Sequence, residues 1–420
     1  MTSSVTTMRD PVTDDEPPRG SLKLLVDPIF GPFFAAKVLS SGGFWIYSIV
    51  AAILAYELSG SAFVVGMVSV AQFGPQLLFG PISGAIADRA DRRHLLVAGR
   101  LLVTAAAAAM ATWIWLVGVD GLPGAWPIVL TAFVTGLGYA IGGPAENAMI
   151  PALVRPGELS PAVALNTVPP TVARAAGPAV GALVAAAFGP ASAFAIAAAA
   201  NLVFALVVLP LKIQSRAESR AGADMRVRAG LAYLGRDRTS LLLLSGVAAI
   251  GVGADPVITL TPSVADGFGQ GSTLVGILAS AFGVGAGIAF VGLTWLRGRL
   301  GLSRLGTTGL GLLAAGIACA GLSPTPALAV TSLGVGGFGM TLALTSLTTQ
   351  LQERLPDDLR GRVMALWLVA WVGSRPLAAA VNGGLADATA PVVSFVTVGV
   401  VVAGAAWLSR PRALADHAAR

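Results

Sequence analysis

Twelve long apolar segments determine what this chain can fold into. A transmembrane helix needs about 20 consecutive, mostly apolar residues, and each segment approaches or exceeds that length. Only 11% of the 420 residues are charged, against about 25% in a soluble domain, so a soluble surface could not be built. The sequence predicts an all-α integral membrane protein with spans near 29–56, 62–86, 94–117, 126–150, 160–187, 190–211, 240–263, 271–295, 305–322, 326–349, 361–384 and 390–409.

The longest polar segment after the N-terminal one separates two groups of six spans. The segment 155–165 is similar to 355–366, and Arg174 is matched by Arg375 at a spacing of 201 residues. Such a repeat predicts two pseudo-symmetric six-helix bundles with a binding cavity between them and alternating access by rocking. The predicted divisions are a tail at 1–28, a bundle at 29–212, a connector at 213–239, a bundle at 240–409 and a tail at 410–420.

The distribution of Lys and Arg predicts the orientation. Every segment after an even-numbered span contains arginine, whereas the segments after spans 1, 3, 5, 7, 9 and 11 offer only acids, namely Glu57, Asp120, Asp266 and Asp387. Basic segments face the cytoplasm, so we expect a multi-pass protein of the cytoplasmic (inner) membrane with both termini inside. Residues 1–28 lack the pattern of a signal peptide and are predicted to form a mobile cytoplasmic tail.

Several partner and activity classes are not expected. The net charge is +6, but the basic residues are scattered over short segments, so no nucleic-acid surface is predicted. Cys319 is the single cysteine, which leaves no disulfide and no cysteine metal site. No nucleophile–base set, metal cluster or phosphate-binding loop is recognisable, so we expect neither an enzyme nor an ATP-driven pump. The expected partners are the lipid bilayer and a small-molecule substrate, the expected state is a monomer, and no cofactor is expected.

The segment GAIADRADRRH at 84–94 is the densest cluster of charge in the chain. Its Gly84, Asp88, Arg89 and Arg92 resemble the loop signature G-x-x-x-D-[RK]-x-G-[RK]-[RK] of the major facilitator superfamily. Asp91 stands in place of the second glycine of this signature. An acid at that position resembles the loop of the proton-driven exporters related to enterobactin and macrolide exporters. The segments 143–154, 164–183 and 355–377 agree with this resemblance, which covers spans 2 to 6 and 10 to 11.

The resemblance implies the major facilitator fold and a cytoplasmic gate. In that gate, Gly84 allows close helix packing, and Asp88 caps the N-terminus of span 11 with Arg89 and Arg92 beside it. The alternative is that these arginines only set the orientation of the chain. Arg93 and His94, next in the sequence, are better explained by that alternative.

A second segment, in span 5, resembles the Gly-Pro motif of antiporters. Gly177, Pro178 and Gly181 would bend the helix and allow tight packing against its neighbours. The alternative is that glycine and proline are simply frequent in membrane helices. The resemblance therefore implies a secondary active exporter of small amphipathic molecules, such as drugs, siderophores or other secondary metabolites, working by proton antiport.

Ionisable residues at membrane depth are costly and are candidates for function. We identify five of them: Lys37, Glu146, Arg174, Asp255 and Arg375. Asp255 is the first candidate for proton coupling, because the prolines that follow it, Pro256 and Pro262, interrupt span 7. The alternative is a permanent ion pair with Arg375 or Arg174. The two arginines could bind an anionic substrate, pair with the coupling carboxylate or serve a structural role.

The other two charges have less specific interpretations. Glu146 is predicted to pair with Arg92 in a charge relay at the gate, with proton coupling as the alternative. Lys37 either contacts the substrate or extends to the cytoplasmic surface. Uncharged candidates for the cavity wall, whose aromatic and amide character suits an amphipathic ligand, are Trp45, Tyr47, Gln72, Gln76, Asn166, Trp367, Trp371 and Asn382.

Three functions remain open at this stage. The exporter is favoured by the loop at 84–94 and by the Gly-Pro segment. An importer or facilitator of a small polar or anionic solute would use the same fold, and paired arginines suit it. A membrane receptor or scaffold would transport nothing and would tolerate Asp255→Asn.

Overall fold

The computed structural model describes residues 19–87, 90–155, 157–211 and 227–411. These ranges contain seventeen α-helices and no strand. Two short helices, α1 (Ser21–Leu25) and α9 (Val227–Arg236), precede the two bundles. The single-helix spans are α2 (Phe30–Ser59), α3 (Ala62–Ala87), α4 (Arg92–Val117), α5 (Trp126–Met149), α8 (Pro190–Val208), α13 (Ser272–Leu300), α14 (Leu302–Gly321), α15 (Pro326–Arg354), α16 (Asp357–Ala388) and α17 (Pro391–Leu408).

Two spans are interrupted where proline removes a backbone donor and clashes with the preceding turn. Span 5 consists of α6 (Leu159–Asn166) and α7 (Val168–Phe188), which meet at Thr167. Span 7 consists of α10 (Arg238–Ala254), α11 (Pro256–Thr259) and α12 (Thr261–Gly267). The interruption predicted at Pro256 and Pro262 is confirmed, and Asp255 lies at the first break.

In the described residues, twelve segments are long and apolar enough to cross a membrane, and they agree with the twelve predicted spans. An even number of crossings puts the two ends of the described chain on the same face, which we call the terminal face. The opposite face, where spans 2 and 8 begin and spans 5 and 11 end, is called the distal face. The first part of the predicted connector, 213–226, lies outside the described residues.

The two bundles touch through spans 2 and 11 and through spans 5 and 8. At the first contact, a methyl group added to Gly66 would lie only 2.4 Å from the carbonyl oxygen of Ala379. At the second, a methyl group on Gly283 would lie 2.3 Å from the carbonyl oxygen of Arg174. Small residues permit this backbone contact between helices, so glycine sets how closely the halves meet.

The last part of the N-terminal segment is not the mobile tail that the sequence predicted. Arg19 Nε donates to Glu158 Oε1 over 2.6 Å, and its Nη1 donates to Asp27 Oδ2 over 2.7 Å. Asp27 accepts from the backbone N–H of Phe30 at the start of span 1, and Leu24 is fully buried. The hydrogen bond from Arg19 lowers the pKa of Glu158 to about 2. Residues 19–28 are therefore fixed against the start of span 5.

Candidate functional site

A small cavity lies between the two bundles near the middle of the spans. Trp45 from span 1 and Arg174 from span 5 line it on one side. Phe282 from span 8 and Arg375 from span 11 line it on the other. The predicted cavity between the halves is therefore present, and the two repeat-related arginines reach it from opposite bundles.

The two arginines rest on aromatic rings. The Arg174 guanidinium lies 5.3 Å from the ring centre of Trp45, and that of Arg375 lies 4.7 Å from Trp371 and 5.5 Å from Phe73. Such cation–π contacts orient the guanidinium without neutralising it. Within the described part of the chain, neither arginine has a carboxylate within 4 Å, and the Nε of Arg375 is buried without a hydrogen-bond partner. Both positive charges thus remain available to a ligand.

Asp255 is a buried carboxyl held by neutral groups. Asn382 Nδ2 donates to its Oδ2 over 2.7 Å, and Thr259 Oγ1 donates to its Oδ1 over 2.9 Å. Arg375 interacts with it electrostatically but forms no direct ion pair. The permanent ion pair with Arg375 or Arg174, the alternative considered for Asp255, is therefore wrong. Asn382, predicted to line the cavity, instead orients this carboxyl.

Glu146 occupies the opposite kind of environment. Lys37 Nζ lies 2.5 Å from its Oε1, and Arg100 forms a second ion pair with its Oε2. Lys37 also donates to the side chain of Asn166, so it joins spans 1, 4 and 5. Lys37 is buried and does not extend to the surface as the alternative interpretation had it. Neither Lys37 nor Asn166 lines the central cavity; both belong to this cluster.

The predicted pair of Glu146 and Arg92 is wrong. Arg92 begins span 3, and its Nη1 donates to the carbonyl oxygen of Ala148 over 3.2 Å. It thereby binds the end of span 4 but not the carboxylate. Asp88 and Arg89 lie outside the described residues, and Gly84 is described only as part of α3. The gate at 84–94 therefore stays a prediction.

Arg100 was missed in the sequence. It is 5% exposed, and its guanidinium lies 4.5 Å from the ring centre of Tyr139 and 5.1 Å from that of Phe204. Asn201 accepts a further hydrogen bond from it over 3.4 Å. The signal was present: an arginine lies inside an apolar run, LLVAGRLLV, well within span 3. The sequence does not identify the residues around Arg100, because which side chains face it depends on how each helix is rotated about its axis.

The remaining cavity candidates take several positions. Tyr47 is buried inside the first bundle, where it donates to Thr131 over 3.0 Å, so its assignment to the cavity is wrong. Gln72 is also buried, behind the cavity wall, and donates to the lining residue Ser48 over 2.8 Å. Trp367 donates to Thr348 within the second bundle over 3.0 Å. Gln76 is half-buried on span 2.

The Gly-Pro segment of span 5 packs against span 1. A methyl group on Gly177 would lie 2.6 Å from the Cβ atom of Trp45, and one on Gly181 would lie 2.9 Å from a methyl group of Ile49. Pro178 lines the cavity, and α7 continues through it. The segment therefore brings a cavity-lining helix into close contact with its neighbour.

Comparison with known proteins agrees with this architecture. Residues 20–417 match the family model described as transmembrane secretion effector. The enterobactin exporter EntS of Escherichia coli is 28% identical over 378 residues, which is 88% of each chain. Macrolide efflux protein A of Streptococcus pyogenes is 30% identical over 128 residues, or 30% of this chain and 31% of that protein. The match therefore spans less than a third of the length of the macrolide efflux protein.

Solved structures with the same fold include transporters of different solutes. The nucleoside transporter NupG superposes with a TM-score of 0.70 at 14% identity, covering 92% of this chain and 99% of that one. The D-xylose-proton symporter superposes with a TM-score of 0.70 at 15% identity, covering 91% and 97%. At these identities the likeness establishes the fold alone, and the predicted twelve-span fold of two bundles is confirmed.

Proposed function

Because the chain belongs to the transmembrane secretion effector family of the major facilitator superfamily, we propose that it exports small amphipathic molecules by proton antiport and alternating access. Membership in this family makes the protein a multi-pass membrane transporter and not an enzyme. The names of the relatives, an enterobactin exporter and a macrolide efflux protein, support export as the direction. Drugs, siderophores and similar secondary metabolites are the substrates we propose.

The central cavity carries this proposal. It lies between the two bundles, its wall is mostly apolar and aromatic, and it contains few charged groups. Ligand sites of transporters and enzymes commonly have this composition, with apolar area for affinity and a few polar groups for orientation. Both bundles contribute to the wall, so rocking of one against the other would expose the ligand to each face in turn.

Asp255 is the proton carrier in this proposal. A buried carboxylate without a counter-ion is costly, and binding a proton removes that cost. Asn382 and Thr259 donate hydrogen bonds that partly compensate the ionised form. Both forms are then accessible during the cycle, and a substrate group that binds to the ionised carboxyl excludes the proton. Glu146, whose charge is matched by two cations, holds four helices of the first bundle together.

Orientation and domain division complete the proposal. The arginine-containing segments favour a cytoplasmic location for the terminal face, and the two halves touch at the distal face. The connector at 213–239 joins the two bundles. The gate formed by Gly84, Asp88, Arg89 and Arg92 would close the cytoplasmic face in the opposite state.

The two arginines of the cavity favour a second candidate, a transporter of an anionic solute. Arg174 and Arg375 line the cavity, and Asp255 follows the lining residue Ala254 in the chain. With Asp255 ionised, these three side chains carry one net positive charge; with Asp255 protonated, they carry two. A proton would then strengthen binding of an anion, and by reciprocity the anion would strengthen binding of the proton. Proton and solute would travel together, which is the behaviour of a symporter and not of an antiporter.

The direction of accumulation in proteoliposomes separates the candidates. With an imposed pH gradient, an antiporter concentrates its substrate in the acidic compartment, and a symporter concentrates it in the alkaline one. This sign is independent of how the protein inserts. We suggest enterobactin, a macrolide and an aromatic carboxylate as probes, with protein-free liposomes correcting for passive partition. Accumulation of enterobactin or the macrolide on the acidic side is expected, whereas accumulation on the alkaline side alone would overturn the antiport proposal.

A further inference from the structure

The N-terminus of span 2 is capped by a carboxylate from the other bundle. Asp387, in the last turn of span 11, accepts from the backbone N–H of Ala62 over 2.8 Å and from that of Phe63 over 3.1 Å. The hydroxyl of Ser61 also donates to it. We call this contact between Asp387 and residues 61–63 the distal latch.

A latch of this kind stabilises a helix end that would otherwise lack acceptors. The first N–H groups of an α-helix have no partner within the helix, and a negative charge there also interacts favourably with the helix dipole. Normally the residue before the helix supplies the acceptor. Here Ser61 does so for Val64, over 3.2 Å, and Asp387 serves two other N–H groups from the opposite half.

The surrounding backbones leave no space for the latch to stretch. A methyl group on Gly383 would lie 2.4 Å from the carbonyl oxygen of Ala62, and one on Gly66 would lie 2.4 Å from that of Ala379. Because spans 2 and 11 are already in contact directly beside the latch, any separation of the halves at the distal face breaks its hydrogen bonds. After separation Ser61 can still cap span 2, so the helix end keeps one of its acceptors.

We propose that the distal latch sets the balance between the distal-closed and distal-open states. It adds a conformational control to the proposed function and holds for import and export alike, since it depends on neither substrate nor proton. Loss of a capping acceptor typically changes a helix equilibrium by a factor of about five. Removing the Asp387 carboxyl should raise the ratio of distal-open to distal-closed molecules by about that factor.

A purely electrostatic role for Asp387 would give the opposite result. The distal segments carry Glu57, Asp120 and Asp266 as further acids. If Asp387 acted only as one more negative charge near them, its removal would reduce repulsion and favour closure. Asn is about as good a capping residue as Asp, so Asp387→Asn keeps one acceptor oxygen and removes the charge. Asp387→Ala removes both.

Spin-label distances across the distal face test the latch. Labels at Ala187→Cys and Thr273→Cys, in a Cys319→Ser background, report the separation of spans 5 and 8 without touching the latch. The protein is measured in lipid nanodiscs with no substrate and no pH gradient. Asp387→Ala should increase the long-distance population about fivefold, Asp387→Asn should change it less than about twofold, and the exposed control Asp120→Asn should leave it unchanged.

Ser61→Ala weakens the latch from the span 2 side. It provides a second test if Asp387→Ala does not fold. It removes one donor to Asp387 and should also shift the distances towards the open state. Distances like those of the unsubstituted protein in Asp387→Ala, or in Ser61→Ala where Asp387→Ala does not fold, would overturn the proposal, and so would a shift of either variant towards closure. Because the measurement involves no transport, its failure would leave the exporter proposal intact.

Discussion

Two buried carboxyls, Glu146 in the first bundle and Asp255 in the second, differ in their partners and not in their burial. They are 7% and 5% exposed. Glu146 lies between two cations, Lys37 and Arg100. Asp255 is held by an amide and a hydroxyl, both neutral. Depth in the membrane alone would rank the two as equal candidates for proton coupling, whereas their partners separate them.

The difference follows from the cost of burying charge. A buried ion pair compensates part of that cost, but removing one member leaves the other unpaired. Glu146 is therefore bound to its cations in any state that keeps the cluster together. Asp255 has no such constraint. Spans 4 and 10 begin 200 residues apart, at Trp126 and Pro326, so Glu146 corresponds to Ser346, and the second bundle has no carboxyl at that position.

The largest expected effect is on stability, from Glu146→Gln. The substitution leaves Lys37 and Arg100 buried without a counter-ion, which typically costs about 3–5 kcal/mol. A large fall in the thermal unfolding midpoint in detergent is the expected result. Asp255→Asn is the matched control, since Asn can keep neutral hydrogen bonds, and its midpoint should stay close to that of the unsubstituted protein. Equal unfolding midpoints for Glu146→Gln and Asp255→Asn would contradict the proposed difference between a carboxyl paired with cations and a carboxyl held by neutral groups.

The next effect is on coupling, from Asp255→Asn. Without an ionisable group at this position, transport driven by a pH gradient should fall about 100-fold, equivalent to about 2.7 kcal/mol. Exchange of labelled for unlabelled substrate without a gradient needs no net proton movement and should continue. Both rates are measured in the same proteoliposomes. Undiminished gradient-driven transport by this variant would exclude Asp255 as the proton carrier.

A smaller effect is expected on ligand selectivity, from Arg375→Gln. Hydrogen bonds between a charged donor and an acceptor contribute about 1.5–3 kcal/mol, so the KM for an aromatic carboxylate should rise at least about tenfold. The KM for a macrolide, which has no carboxylate, should change much less. Arg375→Lys keeps the charge, so its KM for the aromatic carboxylate should lie between that of the unsubstituted protein and that of Arg375→Gln. Equal changes for both ligands would mean that Arg375 acts through packing alone.

The smallest effect concerns the terminal face, where Glu158 is ionised through its contact with Arg19. The folded pKa of about 2 lies below the usual 4.5, so this carboxyl contributes stability above about pH 4.5 that is lost as the pH falls towards 2. Arg19→Ala should reduce this acid dependence and lower the unfolding midpoint slightly at neutral pH. The measurement is the thermal unfolding midpoint of the unsubstituted protein and of Arg19→Ala at several pH values between about 2 and 7. Parallel curves would show that Arg19 does not stabilise the ionised form.

The sequence was sufficient for the fold but not for the partners of its charges. Apolar length located the twelve spans to within a few residues, and Pro256 located the break in span 7. Partner choice depends on the rotation of each helix, which apolar runs do not encode. Arg92 and Arg100 are two turns apart on span 3, and only the structure places Arg100 against Glu146. Asn382 and Asp255 are 127 residues apart in the sequence, so no local sequence pattern predicts their hydrogen bond.

The most direct test of the difference between the two carboxyls is infrared difference spectroscopy of the reconstituted protein during a pH titration. Protonated and ionised carboxyls absorb separately, so the spectrum reports which group takes up the proton. A protonated-carboxyl band that changes with pH is expected in the unsubstituted protein, and the same band should be absent from Asp255→Asn. If the band persists unchanged in Asp255→Asn, the proton is carried elsewhere and the assignment of Asp255 is wrong.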